Sequence, residues 1–260
     1  MNGFSLYFYH KFFRMKIRRY IPNFLTLCNL MSGVVSITLV LQGNMVWAAL
    51  FIFIAAVFDF SDGMAARLLD ARSEIGKQLD SLSDIVSFGV APGIIVFMML
   101  LQGCEGSCNI LEKVGITPYF ALLIPALSAV RLAKFNIDLR QEENFTGLPT
   151  PANAIFFAAV PLMLFAGDCC YPLIKLDFLQ AFFSNTRTLA ILAVIMSYML
   201  VSDFRMFSLK FKTMDWQGNK ARYLFLILAV VLLALFSVAG IPLVILLYFL
   251  LSLIFQKQLR

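Results

Sequence analysis

Two pairs of aspartates carry the chemistry that this sequence could perform. The stretch VFDFSDGMAARLLDARSEIG holds Asp59 and Asp62, and KQLDSLSD follows with Asp80 and Asp84. On helices, Asp59 and Asp62 stand at i and i+3 and Asp80 and Asp84 at i and i+4, so each pair shares a face. The connection between them, about residues 70–76, is short, which predicts antiparallel neighbouring helices with both acidic faces at the same end. Four carboxylates converging there would repel one another. Two divalent cations balance that charge, and an all-oxygen ligand set selects hard ions such as Mg²⁺ or Mn²⁺. Paired metals suit the attacking and leaving oxygens of an in-line phosphoryl displacement. The chemistry expected is therefore transfer at a phosphate or pyrophosphate, with Asp59, Asp62, Asp80 and Asp84 as metal ligands.

The neighbours fit that use. Gly63, one residue past Asp62, lets a ligand approach the backbone, and Gly76 lets two helices cross closely. Arg67 can meet phosphate oxygens with both arms of its guanidinium, and Ser73 in the connection can donate to the same phosphate. A competing reading exists. Carboxylates within a span also serve as proton relays or as the cation site of a transporter, and a lone pair of aspartates at a helix end is often a cap or a surface charge. Asp70 and Glu74 are read as solvated.

The elements that position these residues lie in a membrane. The chain has 260 residues, of which 61% are hydrophobic and 14% charged; a soluble domain is nearer half apolar and about a quarter charged. A span needs about 20 mostly apolar residues. Eight stretches qualify, roughly 22–42, 45–69, 76–101, 116–136, 151–167, 187–204, 221–239 and 241–256. The last two, separated by the turn around Gly240 and Pro242, could instead form one kinked or re-entrant unit. The fold class expected is an all-α polytopic membrane helix bundle of about eight transmembrane helices. Residues 3–20, GFSLYFYHKFFRMKIRRY, mix aromatics with bases and read as an amphipathic helix on the membrane surface. The chain thus divides into an interfacial helix, 1–20, and a membrane domain, 21–260. The apolar run after the basic stretch is long and lacks a small-residue exit site, so it reads as a retained span and not a cleaved signal. The loop of about 167–186, with YPLIKLDFLQAFF, reads as a short surface helix.

With the N-terminus inside, 21 Lys and Arg residues distribute so that only Lys113, Lys175 and Arg187 fall outside. That bias predicts both termini and the acidic site on the cytoplasmic side of the inner membrane. The net charge of +6 then faces anionic lipid and is no nucleic-acid footprint. Cys104, Cys108, Cys169 and Cys170 fall in outer segments and could pair or stay free; Cys28 packs as a small hydrophobe. The single histidine, His10, leaves no His-containing zinc pattern.

The pattern D-x2-D-G-x2-A-R-x8-G-x3-D-x3-D, eight fixed positions over 26 residues from Asp59 to Asp84, resembles without a departure the signature of the CDP-alcohol phosphatidyltransferases. The resemblance implies a membrane enzyme that displaces CMP from a CDP-linked lipid with an alcohol hydroxyl. It implies two metals on Asp59, Asp62 and Asp80, and Asp84 as both metal contact and base. It places Gly63, Arg67 and Ser73 at the nucleotide lipid. PNFLTLCN, Pro22 to Asn29, is similar to the family's first-span motif, which brings Pro22, Asn23 and Thr26 near the nucleotide. LDSLSDIVSFGVAP, LSAVRLAKFNI and FTGLPTPANA resemble the phosphatidylserine synthase branch. These stretches cover the first six-tenths of the chain; the later spans match only as apolar helices. The substrates implied are CDP-diacylglycerol and L-serine, with glycerol-3-phosphate, inositol or choline as alternative acceptors; a homodimer is implied as well. Arg131 is the candidate for the acceptor carboxylate, with Lys134 and Ser87 beside it, although a basic anchor and small-residue helix packing are equally good accounts of these residues.

Overall fold

The computed structural model describes residues 3–103, 115–137, 145–165, 177–206 and 216–254. The chain is an all-α membrane bundle. Helix α1 (Gly3–Leu41) and α2 (Met45–Leu68) form the first hairpin. Residues 3–20 are helical and run into the first span without a break. Gly43, at φ +82°, closes the hairpin. Its N–H donates to the Val40 carbonyl and that of Asn44 to the Leu39 carbonyl, both at 2.9 Å. This pair of bonds satisfies the last carbonyls of α1, and glycine takes the left-handed backbone at no cost to a side chain.

The third span is one rod with a fault in it. Helix α3 (Glu74–Asp84) passes through a π-helical turn (Ile85–Val90) into α4 (Ala91–Gln102). Pro92 sits in the first turn of α4, where its missing N–H would break an α-helical ladder; a wider turn just before it accommodates the ring. A 3₁₀ turn (Thr117–Leu122) leads into α5 (Leu123–Ile137). Helix α6 (Thr150–Phe165), α7 (Asp177–Ser184) and α8 (Thr186–Val201) follow. A short helix does form within the loop where one was expected, α7, bent by 80° from α8. Two-residue strands β1 (Phe145–Thr146) and β2 (Arg205–Met206) pair antiparallel and tie the entry of α6 to the exit of α8.

Among the described residues, five helical stretches are long and apolar enough to cross a bilayer, or six if α7 and α8 form one bent span. One of the five, Arg222–Ile254, turns back on itself. Helix α9 (Trp216–Phe236) ends at the 3₁₀ turn Ser237–Ala239, and α10 (Gly240–Ile254) returns. Phe225 and Tyr248, 23 positions apart, have ring centroids 5.4 Å apart, which a straight helix rising 1.5 Å per residue forbids. The reversal lies at Ser237, ahead of Gly240 and Pro242. Helices α6, α8 and α10, at 16, 16 and 15 residues, are shorter than the ~20 residues of a full hydrocarbon crossing.

The core gathers around α2, the π turn, α4 and α6, with Phe88, Ile52, Ile95, Phe156 and Phe157 fully buried. Small residues allow close approach. Ala48, Ala49 and Ala55 line the buried face of α2. A Cβ on Gly33 would lie 2.7 Å from the Ser87 Cα, so α1 crosses the π turn nearly backbone to backbone. Cys104, Cys108, Cys169 and Cys170 lie outside the described residues; Cys28 is a free thiol, half-buried in α1.

Candidate active site

All four aspartates converge, but not by direct packing of α2 on α3. Helix α1 packs on both and forms the base of the site. Beside the acids, three hydrogen bonds stitch it to the acidic helices. Thr26 Oγ1 lies 2.6 Å from Asp62 Oδ2 and 3.0 Å from its own-helix Pro22 carbonyl. A hydroxyl has one proton, and the shorter approach to a carboxylate takes it. Asn29 Nδ2 donates to Asp84 Oδ1 at 3.2 Å, and Ser83 Oγ donates to the Thr26 carbonyl at 2.9 Å. Thr26 and Asn29, three residues apart on one helical face, therefore hold one aspartate from each acidic helix.

Asp59, Asp62 and Asp80 each present a carboxylate oxygen within 4.8 Å of the other two. Asp62 is buried; Asp59 and Asp80 are half-buried. Three hard oxygen donors at that separation, in a partly dehydrated setting, suit a divalent cation such as Mg²⁺ or Mn²⁺. Asp84, 8% exposed, stands outside that triad but interacts electrostatically with Asp59 and Asp80. Its position beside the triad suits a carboxylate that handles a proton.

A cavity of about 650 Å³ opens over Asp62 and Asp80. Pro22, Asn23, Thr26, Gly63, Ser73 and Gly76 line it, together with Arg72, Glu74 and Lys77. Ser73 caps α3, its Oγ accepting from the Gly76 N–H at 3.0 Å, which leaves the hydroxyl proton for a ligand. A Cβ on Gly76 would lie 3.0 Å from Ser73 Oγ and 3.1 Å from Asn23 Oδ1, so a side chain there would crowd both polar groups. Arg67 is exposed and does not line the cavity; its Nε donates to the Gly63 carbonyl at 2.9 Å. The cations on the cavity wall are Arg72 and Lys77.

The acceptor candidates separate. Arg131 is buried, 8% exposed, and interacts electrostatically with Asp84 and Tyr248. Ser87 is fully buried, and its hydroxyl donates to the Asn29 carbonyl at 2.9 Å. Lys134 is exposed, with Nζ 3.5 Å from the Val201 carbonyl. Asn136, just beyond, links α5 to the outer face of α3. Its Nδ2 donates to Ser81 Oγ at 2.8 Å, and its carbonyl accepts from Lys77 Nζ at 3.3 Å.

Sequence reasoning missed four participants. Asn29 closes the PNFLTLCN stretch on the same face as Thr26, and that spacing could have singled it out. Arg72 lies in the short connection beside Ser73, and Lys77 follows Gly76 in the first turn of α3. Tyr248 had no signal, since it lies in an apolar helix far along the chain.

The CDP-alcohol phosphatidyltransferase family model matches residues 19–179. Among curated proteins, the CDP-diacylglycerol–serine O-phosphatidyltransferase of Bacillus subtilis is 37% identical over 155 residues, 58% of this chain and 82% of that protein. The archaetidylserine synthase of Methanothermobacter thermautotrophicus is 35% identical over 151 residues, covering 57% of this chain and 60% of that protein. The CDP-diacylglycerol–serine O-phosphatidyltransferase of Mycobacterium leprae is 31% identical over 193 residues, 72% of this chain and 57% of that protein. The chain thus spans under two thirds of the length of the second and third relatives.

Proposed function

The chain belongs to the CDP-alcohol phosphatidyltransferase family, and on that basis we propose that it transfers the phosphatidyl group of CDP-diacylglycerol to the hydroxyl of L-serine, giving phosphatidylserine and CMP. The observation that carries this reading is the Asp59–Asp62–Asp80 triad, with oxygens within 4.8 Å of one another, two of whose members, Asp62 and Asp80, line a 650 Å³ cavity. Serine as acceptor is supported by the names of the relatives and by a buried Arg131 in electrostatic range of Asp84.

The cavity is suited to the cytidine diphosphate head, with Asn23, Gly63 and Ser73 on its wall and Arg72 and Lys77 supplying positive charge. Asp59, Asp62 and Asp80 would hold Mg²⁺ or Mn²⁺, with Asp84 adjoining; the bound cations would neutralise phosphate charge and polarise the reacting phosphorus. Arg131 holds the serine carboxylate. Asp84 takes the proton of the serine hydroxyl, whose oxygen forms a bond to the phosphorus bearing diacylglycerol. The bond from that phosphorus to the bridging oxygen breaks, and CMP leaves with the electron pair. No side-chain nucleophile is needed, and positioning plus electrostatics supplies most of the rate. Thr26 and Asn29 fix Asp62 and Asp84 throughout. The distribution of Lys and Arg supports a site facing the cytoplasm across the inner membrane.

The test is CMP release by the purified chain from labelled CDP-diacylglycerol, with serine, glycerol-3-phosphate, inositol or choline as acceptor. Release should require serine, stop on chelation, and return with Mg²⁺ or Mn²⁺. Release driven by another acceptor moves the specificity, and undiminished release after exhaustive chelation removes the metal. Metal flux into sealed vesicles without CMP release would favour a transporter.

A further inference from the structure

The cavity over Asp62 and Asp80 leaves unexplained a set of buried polar atoms beyond Asp84. Asn153 is fully buried, and neither its Oδ1 nor its Nδ2 has a hydrogen-bond partner among the described residues. The Nε of Arg131 is in the same condition, as is the hydroxyl of Ser128 one turn before it on α5. Buried donors and acceptors are costly without partners, and native proteins leave few of them. An amide orphaned at both ends on α6 and an orphaned guanidinium nitrogen on α5, two helices that pack on the same π turn, mark a site built for something that arrives later.

Their placement is common to one feature. Ser128 and Arg131 lie on α5, and Asn153 lies in the first turn of α6. Both helices pack on the π turn Ile85–Val90, which begins directly after Asp84. Ser128 abuts that turn, since a Cβ on Gly89 would lie 3.3 Å from the Ser128 Cβ. Helix α10 relates to both sides, for Tyr248 interacts electrostatically with Arg131 while α10 packs on α6. A cation with a free N–H and a neutral amide with a free carbonyl oxygen complement a zwitterion. The guanidinium suits a carboxylate and the amide oxygen an ammonium. An amide serves here where an aspartate would add a fifth negative charge to a site already holding four.

The geometry points to Asn153 as a specificity-determining residue, its Oδ1 accepting from the ammonium of the amino-acid acceptor while Arg131 takes the carboxylate and the hydroxyl is left toward Asp84. This assignment rests on the serine-transfer reading above. Sites that hydrogen-bond a substrate group discriminate strongly against analogues lacking it, because their own buried groups are then left without a partner.

Two analogues dissect the zwitterion: 3-hydroxypropionate lacks the ammonium and ethanolamine lacks the carboxylate. The purified full chain is assayed for CMP release from CDP-diacylglycerol with each, as acceptor or as competitive inhibitor of serine. Wild type should favour serine over 3-hydroxypropionate. Asn153→Ala should collapse that preference by about tenfold or more, through the KM for serine, with the KM for CDP-diacylglycerol little changed. Arg131→Ala should instead collapse the preference for serine over ethanolamine. Asn153→Leu, which keeps the volume, is read in the same way, and a ratio of acceptors is independent of how much enzyme is folded. An unchanged serine to 3-hydroxypropionate ratio in both Asn153 variants overturns the assignment. Wild type that ignores serine and uses another alcohol overturns the reading beneath it, a separate outcome visible before any variant is made.

Discussion

Thr26→Val separates a support for the metal site from a contact with the nucleotide. The exchange keeps the side-chain volume of a residue only 3% exposed and swaps a hydroxyl for a methyl. What is lost is the 2.6 Å hydrogen bond to Asp62 Oδ2. The Thr26 carbonyl that accepts from Ser83 remains, so α1 stays bonded to α3. A hydrogen bond to a charged group contributes about 1.5–3 kcal/mol, and each 1.4 kcal/mol is about tenfold in an equilibrium constant. If the bond orients Asp62 for a cation, the apparent dissociation constant for Mg²⁺ or Mn²⁺ rises by about 10- to 150-fold, in line with the ~10–100-fold typical of groups that orient metal ligands. At saturating metal the turnover should recover most of its wild-type value. The assay is the initial rate of CMP release against divalent ion, at fixed CDP-diacylglycerol and serine, for wild type, Thr26→Val and Thr26→Ser; the serine variant retains the hydroxyl and should restore the wild-type metal dependence. An unchanged metal dependence together with a raised KM for CDP-diacylglycerol would refute the reasoning, because the proton would then serve the nucleotide.

Asp84→Asn should lower turnover by about 10²–10⁴-fold, the usual contribution of a positioned base, while CDP-diacylglycerol binding, measured by equilibrium dialysis or filter retention, persists. Arg72→Ala with Lys77→Ala should raise the KM for CDP-diacylglycerol more than it lowers kcat, since both cations line the cavity and neither touches the acid triad; kinetics at varied lipid concentration in mixed micelles reads the split. Gly33→Ala should destabilise the protein by about 1–3 kcal/mol, because its Cβ would meet the backbone of Ser87, which no rotamer change relieves; a lowered Tm in detergent reports it.

The acid cluster was legible because its information is local. Asp59, Asp62, Asp80 and Asp84 declare their faces through spacings of three and four, and a short connection brings the faces together. The apolar helices were legible for the same reason, since composition over some twenty residues decides them. What the sequence hid depends on tertiary packing. That α1 lies beneath both acidic helices follows from Thr26, Asn29 and Ser83 finding partners on other elements, and no spacing within α1 declares which helix it will meet. Arg67 carried the right charge in the right motif, yet its side chain folds back onto its own helix, while Arg72 in the connection and Lys77 in the first turn of α3 line the cavity. Tyr248 comes into electrostatic range of Arg131 only because α9 and α10 reverse at Ser237, a residue with φ +50° in a run of apolar neighbours. Asn153 announces itself only once its surroundings are known to offer it nothing.

The π-helical turn after Asp84 also sets a phase. Such a turn is a helix carrying one surplus residue, and each residue of a regular helix advances the side chains by about 100°. Aspartates before the turn and the packed stripe of Ile95 and Met99 after it belong to one rod, but they keep different rotational frames. Removing a single residue between Ile85 and Val90 would merge the frames. Either the lower half would swing its acids away from α2, or the upper half would turn its packing face out of the core. The acidic end and the core-packed end of this span can therefore vary independently in sequence only while that surplus residue stays.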